Sequence, residues 1–297
     1  MTRQEPLIDK AKRLTQQARL PRFFNVKGRR WHPTWQIYLC HLVYTTYAPS
    51  WRRAAKFMRD FYGIEMEWSC WRKAIMKWPI WAWHALARAS AGDEQCLVAA
   101  IDGTTLARSN PSQHYLHRID REQPVGRPIQ EVVMIDVARR KFLAWRVRSR
   151  QRGEKCDVLY LLGNSPVTPD GVLLDKGFDS EPLHAALRER GVWSVAPTRK
   201  NCRRGRCRKQ LRDFFDHGLY WQRNLVESLF SALKRLFGVH VRARTWRAQR
   251  AEIFSKFIAY NIGALQRRTI CHRAFPTITF KNTPLFARLK TPGAPVV

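Results

Sequence analysis

Two short runs, Cys96-Leu-Val-Ala-Ala-Ile101 and Gly171-Val-Leu-Leu174, are apolar at every position, and each leads straight into an aspartate, Asp102 and Asp175. A strand that is apolar throughout has both faces covered, so each run predicts a central strand with packing above and below it. Around them, Glu131–Val137 and Lys141–Val147 predict a hairpin turned at residues 138–140, and Val192–Ala196 predicts a last strand. Helices are expected from Lys155 to about Gly163 and over Pro182–Arg190, the second closed by Gly191. The resulting order, three strands, then helix, strand, helix, strand, and further helices, defines an α/β fold.

The region before these strands has a different composition. Residues 1–92 hold seventeen Lys and Arg against five Asp and Glu, and eight of the twelve Trp. Ser50 is a good N-cap for a helix whose apolar positions 51, 54, 55, 58 and 61 recur at helical spacing, and Gly63 offers its stop. Ser69 is expected to cap a second helix, Cys70–Trp78, ended by Pro79. Two helices joined by a Gly-containing turn, with Arg72, Lys73 and Lys77 outward, predict a helix-turn-helix. Arg72 and Lys73 would then hold phosphates or reach guanine edges. A plain helical hairpin over a Trp-rich core is the alternative. Ala91–Glu94 marks a break, so the expected organisation is a helical DNA-binding domain over 1–92, an α/β domain over 93–270, and a basic, Pro-containing tail over 271–297.

The chain carries 54 Lys and Arg against 23 Asp and Glu, a formal charge of +31 on 297 residues. Self-repulsion on that scale points to a polyanionic partner, with double-stranded DNA the first expectation. No apolar run reaches the roughly 18 residues of a spanning helix, because His41, Lys77 and His84 interrupt the candidates. The N-terminus lacks a signal-peptide core, so a cytoplasmic, nucleoid-associated protein of a prokaryote is expected, with its seven scattered cysteines reduced. Cys202 and Cys207 lack a second Cys/His pair at ligand spacing, so no zinc site is expected. Arg199–Arg212 holds eight Lys and Arg in fourteen residues with no acid, a density that calls for an anion and predicts phosphate contacts from Arg199 and Lys200.

Tyr220–Lys234 is expected to form one helix. At ~100° per residue, Tyr220, Arg223, Glu227 and Lys234 share a polar sector about 60° wide, opposite an arc that holds Leu225, Val226, Leu229 and Leu233. By itself this is an amphipathic helix with charges at i, i+4 spacing. Taken with the two strand-end aspartates, the spacing Y-(2)-R-(3)-E-(6)-K resembles the signature of the insertion-sequence DDE transposases, from Leu97 to Leu265.

That resemblance implies a ribonuclease H-like mixed sheet flanked by helices. It also implies that Asp102, Asp175 and Glu227 are catalytic and bind two Mg²⁺ or Mn²⁺ ions. Phosphodiester cleavage suits such a donor set, because two ions about 3.5–4 Å apart activate an oxygen nucleophile and stabilise the leaving oxygen. Arg223 would hold a phosphate oxygen at the cut site, Tyr220 would contact a displaced base or sugar, and Lys234 would contact DNA backbone further along. Asp179 is expected to cap the helix that follows it. The function implied is cleavage at the ends of a mobile element and joining of the 3′-hydroxyl to target DNA, by a homodimer on paired ends. A nuclease without strand transfer and a non-catalytic DNA-binding derivative are the alternatives.

Overall fold

The apolar runs pair side by side at the centre of a five-stranded sheet of order β3-β2-β1-β4-β5. A computed structural model describes residues 5–24, 32–48, 50–108, 117–118, 127–150, 152–199 and 204–263. The strands are β1 (Val98–Leu106), β2 (Ile129–Asp136), β3 (Lys141–Arg148), β4 (Gly171–Leu174) and β5 (Trp193–Val195). β1 runs antiparallel to β2 and parallel to β4, so the sheet is mixed, as the ribonuclease H-like expectation requires. β2 is buried at every position, and the hairpin to β3 turns through Arg140 with φ 54°.

One boundary differs in an informative way. β1 does not end at Ile101 but continues through Asp102-Gly-Thr-Thr to Leu106, paired with β2 in the register Asp102↔Val133. On its other edge the parallel pairing with β4 stops at Ile101↔Leu174. Asp102 is therefore held straight by one neighbour at the place where the other strand leaves it, and Asp175 is the next residue on that departing strand.

Helices cover both faces. On one side lie α6 (Val158–Asn164) and α7 (Glu181–Glu189), whose Leu161, Leu183 and Leu187 join Ala99, Ile101, Val172 and Leu174 in one apolar cluster. The other side carries the last helix, Trp246–Asn261, buried almost all round from Gln249 to Tyr260. It is designated α11 below. Its Phe254 and Phe257 pack on Trp145 of β3 at ring separations of 5.4 and 5.0 Å. Asn261 receives the backbone N–H of Phe142 at 2.9 Å and donates to its carbonyl at 2.8 Å, so β3, an edge strand, is sealed by a side chain. The part of the predicted tail from 271 onward, and Leu265, lie outside the described residues.

The N-terminal region contains α1 (Leu7–Gln17), α2 (Thr34–Thr46), α3 (Trp51–Tyr62), α4 (Trp68–Met76) and α5 (Ile80–Ala91). Ser50 caps α3 by accepting from Arg53 N–H, and Gly63 ends it at φ 63°. The cap of α4 is Glu67, not Ser69: its carboxylate accepts the Ser69 N–H at 2.6 Å, a stronger acceptor that starts the helix two residues earlier. Trp71 and Ile75 face inward, while Arg72, Lys73 and Lys77 are exposed. These helices share one core with β1, β2, β3 and α11. Lys10, nearly buried on α1, donates to the carbonyls of Ile262 and Gly263 beyond the end of α11.

Candidate active site

The segment expected as one helix from Tyr220 is two: α9 (His217–Trp221) and α10 (Asn224–Phe237). Between them the backbone stays right-handed but tightens. Arg223 N–H bonds back to Tyr220 and Val226 N–H to Arg223, three residues apart rather than four. The apolar face behaves as expected, with Val226, Leu229 and Leu233 buried and Phe230 beside them. The tightened turn sets Arg223 at the entrance to α10, pointing back at the sheet.

There Arg223 reaches the aspartate of β1. Its Nη1 donates to Asp102 Oδ2 at 2.8 Å, and Nη2 lies 3.4 Å from Glu227 Oε1. Both Arg223 and Asp102 are largely shielded, at 15% and 19% side-chain exposure, while Glu227 stays open at 63%. Burial pushes the Asp102 carboxyl above its ordinary value. The Gly103 N–H and Arg223 oppose this, and the charges of Asp175 and Glu227 add to it. Burial works against the charged guanidinium of Arg223, yet Asp102, Tyr220, Asp175 and Glu227 together hold its proton more firmly than usual. Asp102, Asp175 and Glu227 thus come from β1, the end of β4 and α10 into one electrostatic neighbourhood, with a cation between two of them. Among the described residues, no three His, Cys, Asp or Glu side chains stand together as a ready metal cage.

A fourth acid belongs to this neighbourhood. Glu154 precedes α6 and sits so close to Gly103 that a Cβ there would lie 1.9 Å from its Oε1. Gly103, inside β1, thus leaves room for this carboxylate, which a Cβ would push aside. Gln130 fixes Glu154 by donating to Oε1 at 3.2 Å and holds Arg152 through its backbone N–H and carbonyl. Burial first, then the charges of Asp102, Asp157 and Asp175, raise the Glu154 carboxyl, with the Gln130 bond opposing.

The remaining sequence candidates fall around this centre. The Tyr220 ring packs on Phe215 at 5.3 Å with the Arg223 guanidinium 6.0 Å from its centroid. Lys234 donates to Thr104 Oγ1 at 2.8 Å, so its ammonium is tied to β1 two residues past Asp102. Arg199 lies at the edge of the described residues, with its N–H on Asp179 Oδ2 at 2.9 Å, and Lys200 lies outside them. Arg72 and Lys73 stand on the exposed side of α4.

Asp179 is not a helix cap. It is 1% exposed and also accepts from Arg208 Nε at 2.7 Å, with His184 Nε2 at 3.4 Å. The Arg-rich segment contains a helix, α8 (Arg206–Asp213), whose first N–H groups, Cys207 and Arg208, are received by Glu181. Gly205 before it has φ 111°, and a Cβ there would lie 2.3 Å from Glu181 Oε2. Part of the anionic complement this segment required is thus supplied by the protein itself.

A mixed five-stranded sheet flanked by helices, with acids of β1 and the end of β4 set where the two strands diverge, defines an α/β domain whose strand order is consistent with the ribonuclease H-like expectation. Residues 97–262, more than half of the chain, match the family described as "Transposase DDE domain", and the chain belongs to that family, which makes it a transposase. A solved structure of a piggyBac transposase synaptic complex with hairpin DNA is similar over 87% of this chain and 71% of its own, at 11% identity and a TM-score of 0.48. No curated protein matches the chain.

Proposed function

We propose that this transposase binds the ends of its element as double-stranded DNA, cleaves phosphodiester bonds there and joins the 3′-hydroxyl to target DNA, using two divalent ions held by Asp102, Asp175 and Glu227. The observation that carries the reading is the adjacency of Asp102 and Asp175 on neighbouring strands, with Glu227 drawn to the guanidinium that Asp102 binds. The donor set fits Mg²⁺ or Mn²⁺ on charge and hardness. All three are hard oxygen donors of like charge, their repulsion is felt at Asp102, and Arg223 stands where a cation is wanted. Bound ions would lower the pKa of a water nucleophile and offset charge on the phosphoryl oxygens.

The chain's own groups do the remaining work. Arg223 is one turn from Glu227 and, with Asp102 engaged elsewhere, would be placed to hold a phosphate oxygen. Tyr220 lies beside it and offers a ring and a hydroxyl to a displaced base or sugar. Lys234, Arg199 and Lys200 hold DNA backbone away from the cut, and Arg72 and Lys73 of α4 read the end sequence in a helix-turn-helix. Two protomers pair the two ends.

The test is a cleavage and joining assay on DNA carrying the element's own ends. Activity is expected to require Mg²⁺ or Mn²⁺ and to fall by orders of magnitude in Glu227→Gln while end binding persists. Full activity in that variant moves the site elsewhere, and cleavage without joining makes the protein a nuclease.

A further inference from the structure

Away from the carboxylates, a cleft of about 320 Å³ opens at the seam between the N-terminal helices and α11. It is lined by Trp51 and Trp68, by Arg72 of α4, and by Arg244 and Thr245 at the start of α11, with His41 in the lining. A pocket for one small ligand begins near 300 Å³, so the volume suits one mononucleotide better than a duplex.

The lining combines two chemistries in one small space, and Trp68 and Arg72 bring both from one face of α4. Trp51 is stacked with Tyr44 at 4.4 Å and His41 at 5.5 Å, and Trp68 carries the Arg52 guanidinium 5.3 Å from its centroid, so a base would extend the first stack or take the place of Arg52 on the second. Arg244 and Arg72 are exposed and bring guanidinium groups. α11 is sixteen residues long, and its N-cap Thr245 makes no side-chain capping bond, so that hydroxyl does not satisfy the first-turn N–H groups. His41 is 1% exposed and its Nδ1 has no hydrogen-bond partner, an unsatisfied buried polar atom on a residue lining the cleft. The neighbouring Arg242 is already committed, to the carbonyls of Ala48 and Tyr44 at 2.7 Å each, and serves as the hinge pin of the seam rather than as a ligand.

We propose that this seam is a binding site for one unpaired nucleotide, its base on the indoles and its phosphate between Arg244, Arg72 and the N-terminus of α11. The shared chemistry is a planar base with a phosphate. A nucleotide turned out of bound DNA and a free mononucleotide both present it, and the first source rests on the transposase reading above.

The experiment uses the full chain and 2-aminopurine, whose fluorescence is quenched on stacking, as the free deoxynucleotide 5′-monophosphate, within a five-nucleotide single strand, and within a duplex. Wild type is expected to quench the single strand. Arg244→Ala should weaken binding at least tenfold, and Trp68→Ala should remove the quench. Tighter binding of the strand than of the free nucleotide assigns the site to DNA, and equal binding assigns it to mononucleotides. Single-strand affinity within twofold of wild type in Arg244→Ala, an exposed position that leaves folding intact, overturns the proposal, as does binding of duplex alone. Cleavage is read in the separate assay on element ends, so loss of the catalytic reading and loss of the seam site register separately.

Discussion

Asp175 and Asp179 lie four residues apart at the end of the same strand, and the structure treats them oppositely. Asp179 is sealed from solvent and receives the Arg199 N–H, the Arg208 guanidinium and the His184 ring. Burial alone would raise its carboxyl, yet these donors hold it below the ordinary value. The Asp175 carboxylate accepts no hydrogen bond from the described residues, and its charge adds to the upward pressure on Asp102 and Glu154. A saturated acid stabilises the fold, whereas acids left short of donors and close to one another store a demand for positive charge. Glu252 belongs with the first kind: fully buried, it accepts the N–H groups of Arg242 and Ala243 and pairs with Lys256.

The sharpest way to break this contrast is at Glu227. Glu227→Gln is expected to cost at least about 10³-fold in cleavage, roughly 4 kcal/mol of barrier, with an unchanged denaturation midpoint. Comparable losses in both measurements would place Glu227 with the structural acids. Asp179→Ala should do the reverse by leaving Arg208 and His184 without their anion, a loss of about 3 kcal/mol in urea unfolding.

At Asp102 the sign is inverted. A carboxyl raised by folding is less willing to be ionised in the native state than in the unfolded one, so its charge subtracts stability above the raised pKa, and the penalty fades as pH falls through it. Asp102→Asn should therefore unfold at a higher midpoint than wild type at neutral pH while losing cleavage. A lower midpoint would mean that the Arg223 pair outweighs repulsion. For Asp179, depressed rather than raised, the stability is present above the unfolded carboxyl value of about 3.9 and disappears as pH drops through the folded one. The smallest effect is expected on α4, where Arg72→Ala and Lys73→Ala should each weaken end binding a few-fold and flatten its salt dependence by about one charge. Equal affinity at moderate salt would leave α3 and α4 a structural hairpin.

Much of the fold was legible because burial on both faces leaves an unambiguous mark. Val98–Ile101 and Gly171–Leu174 are the interior strands that their apolar runs predict, though the first run's Leu97 lies before β1 and is exposed, and the succession with amphipathic helices carried the topology. The polar extension of β1 was not legible, since Asp102-Gly-Thr-Thr reads as a turn until β2 is known to run alongside. Glu154 left no local signal at all: its place is set by the missing Cβ of Gly103 and by Gln130, both far away in sequence. α8 was hidden by its charge, because the acid that starts it, Glu181, lies outside the Arg-rich stretch. The division of the Tyr220 segment into two helices depends on a shift from four-residue to three-residue bonding at Arg223, to which side-chain periodicity is nearly blind.

Because α11 is wrapped on every side, by the sheet below and by α2 and α5 above, α4 and the carboxylates are mounted on a common axle. The distance from α4 to the carboxylates is then set by interior packing, as on a gauge with fixed jaws, and a cavity cut deep in α11, at Phe254 or Ile258, would loosen both ends at once.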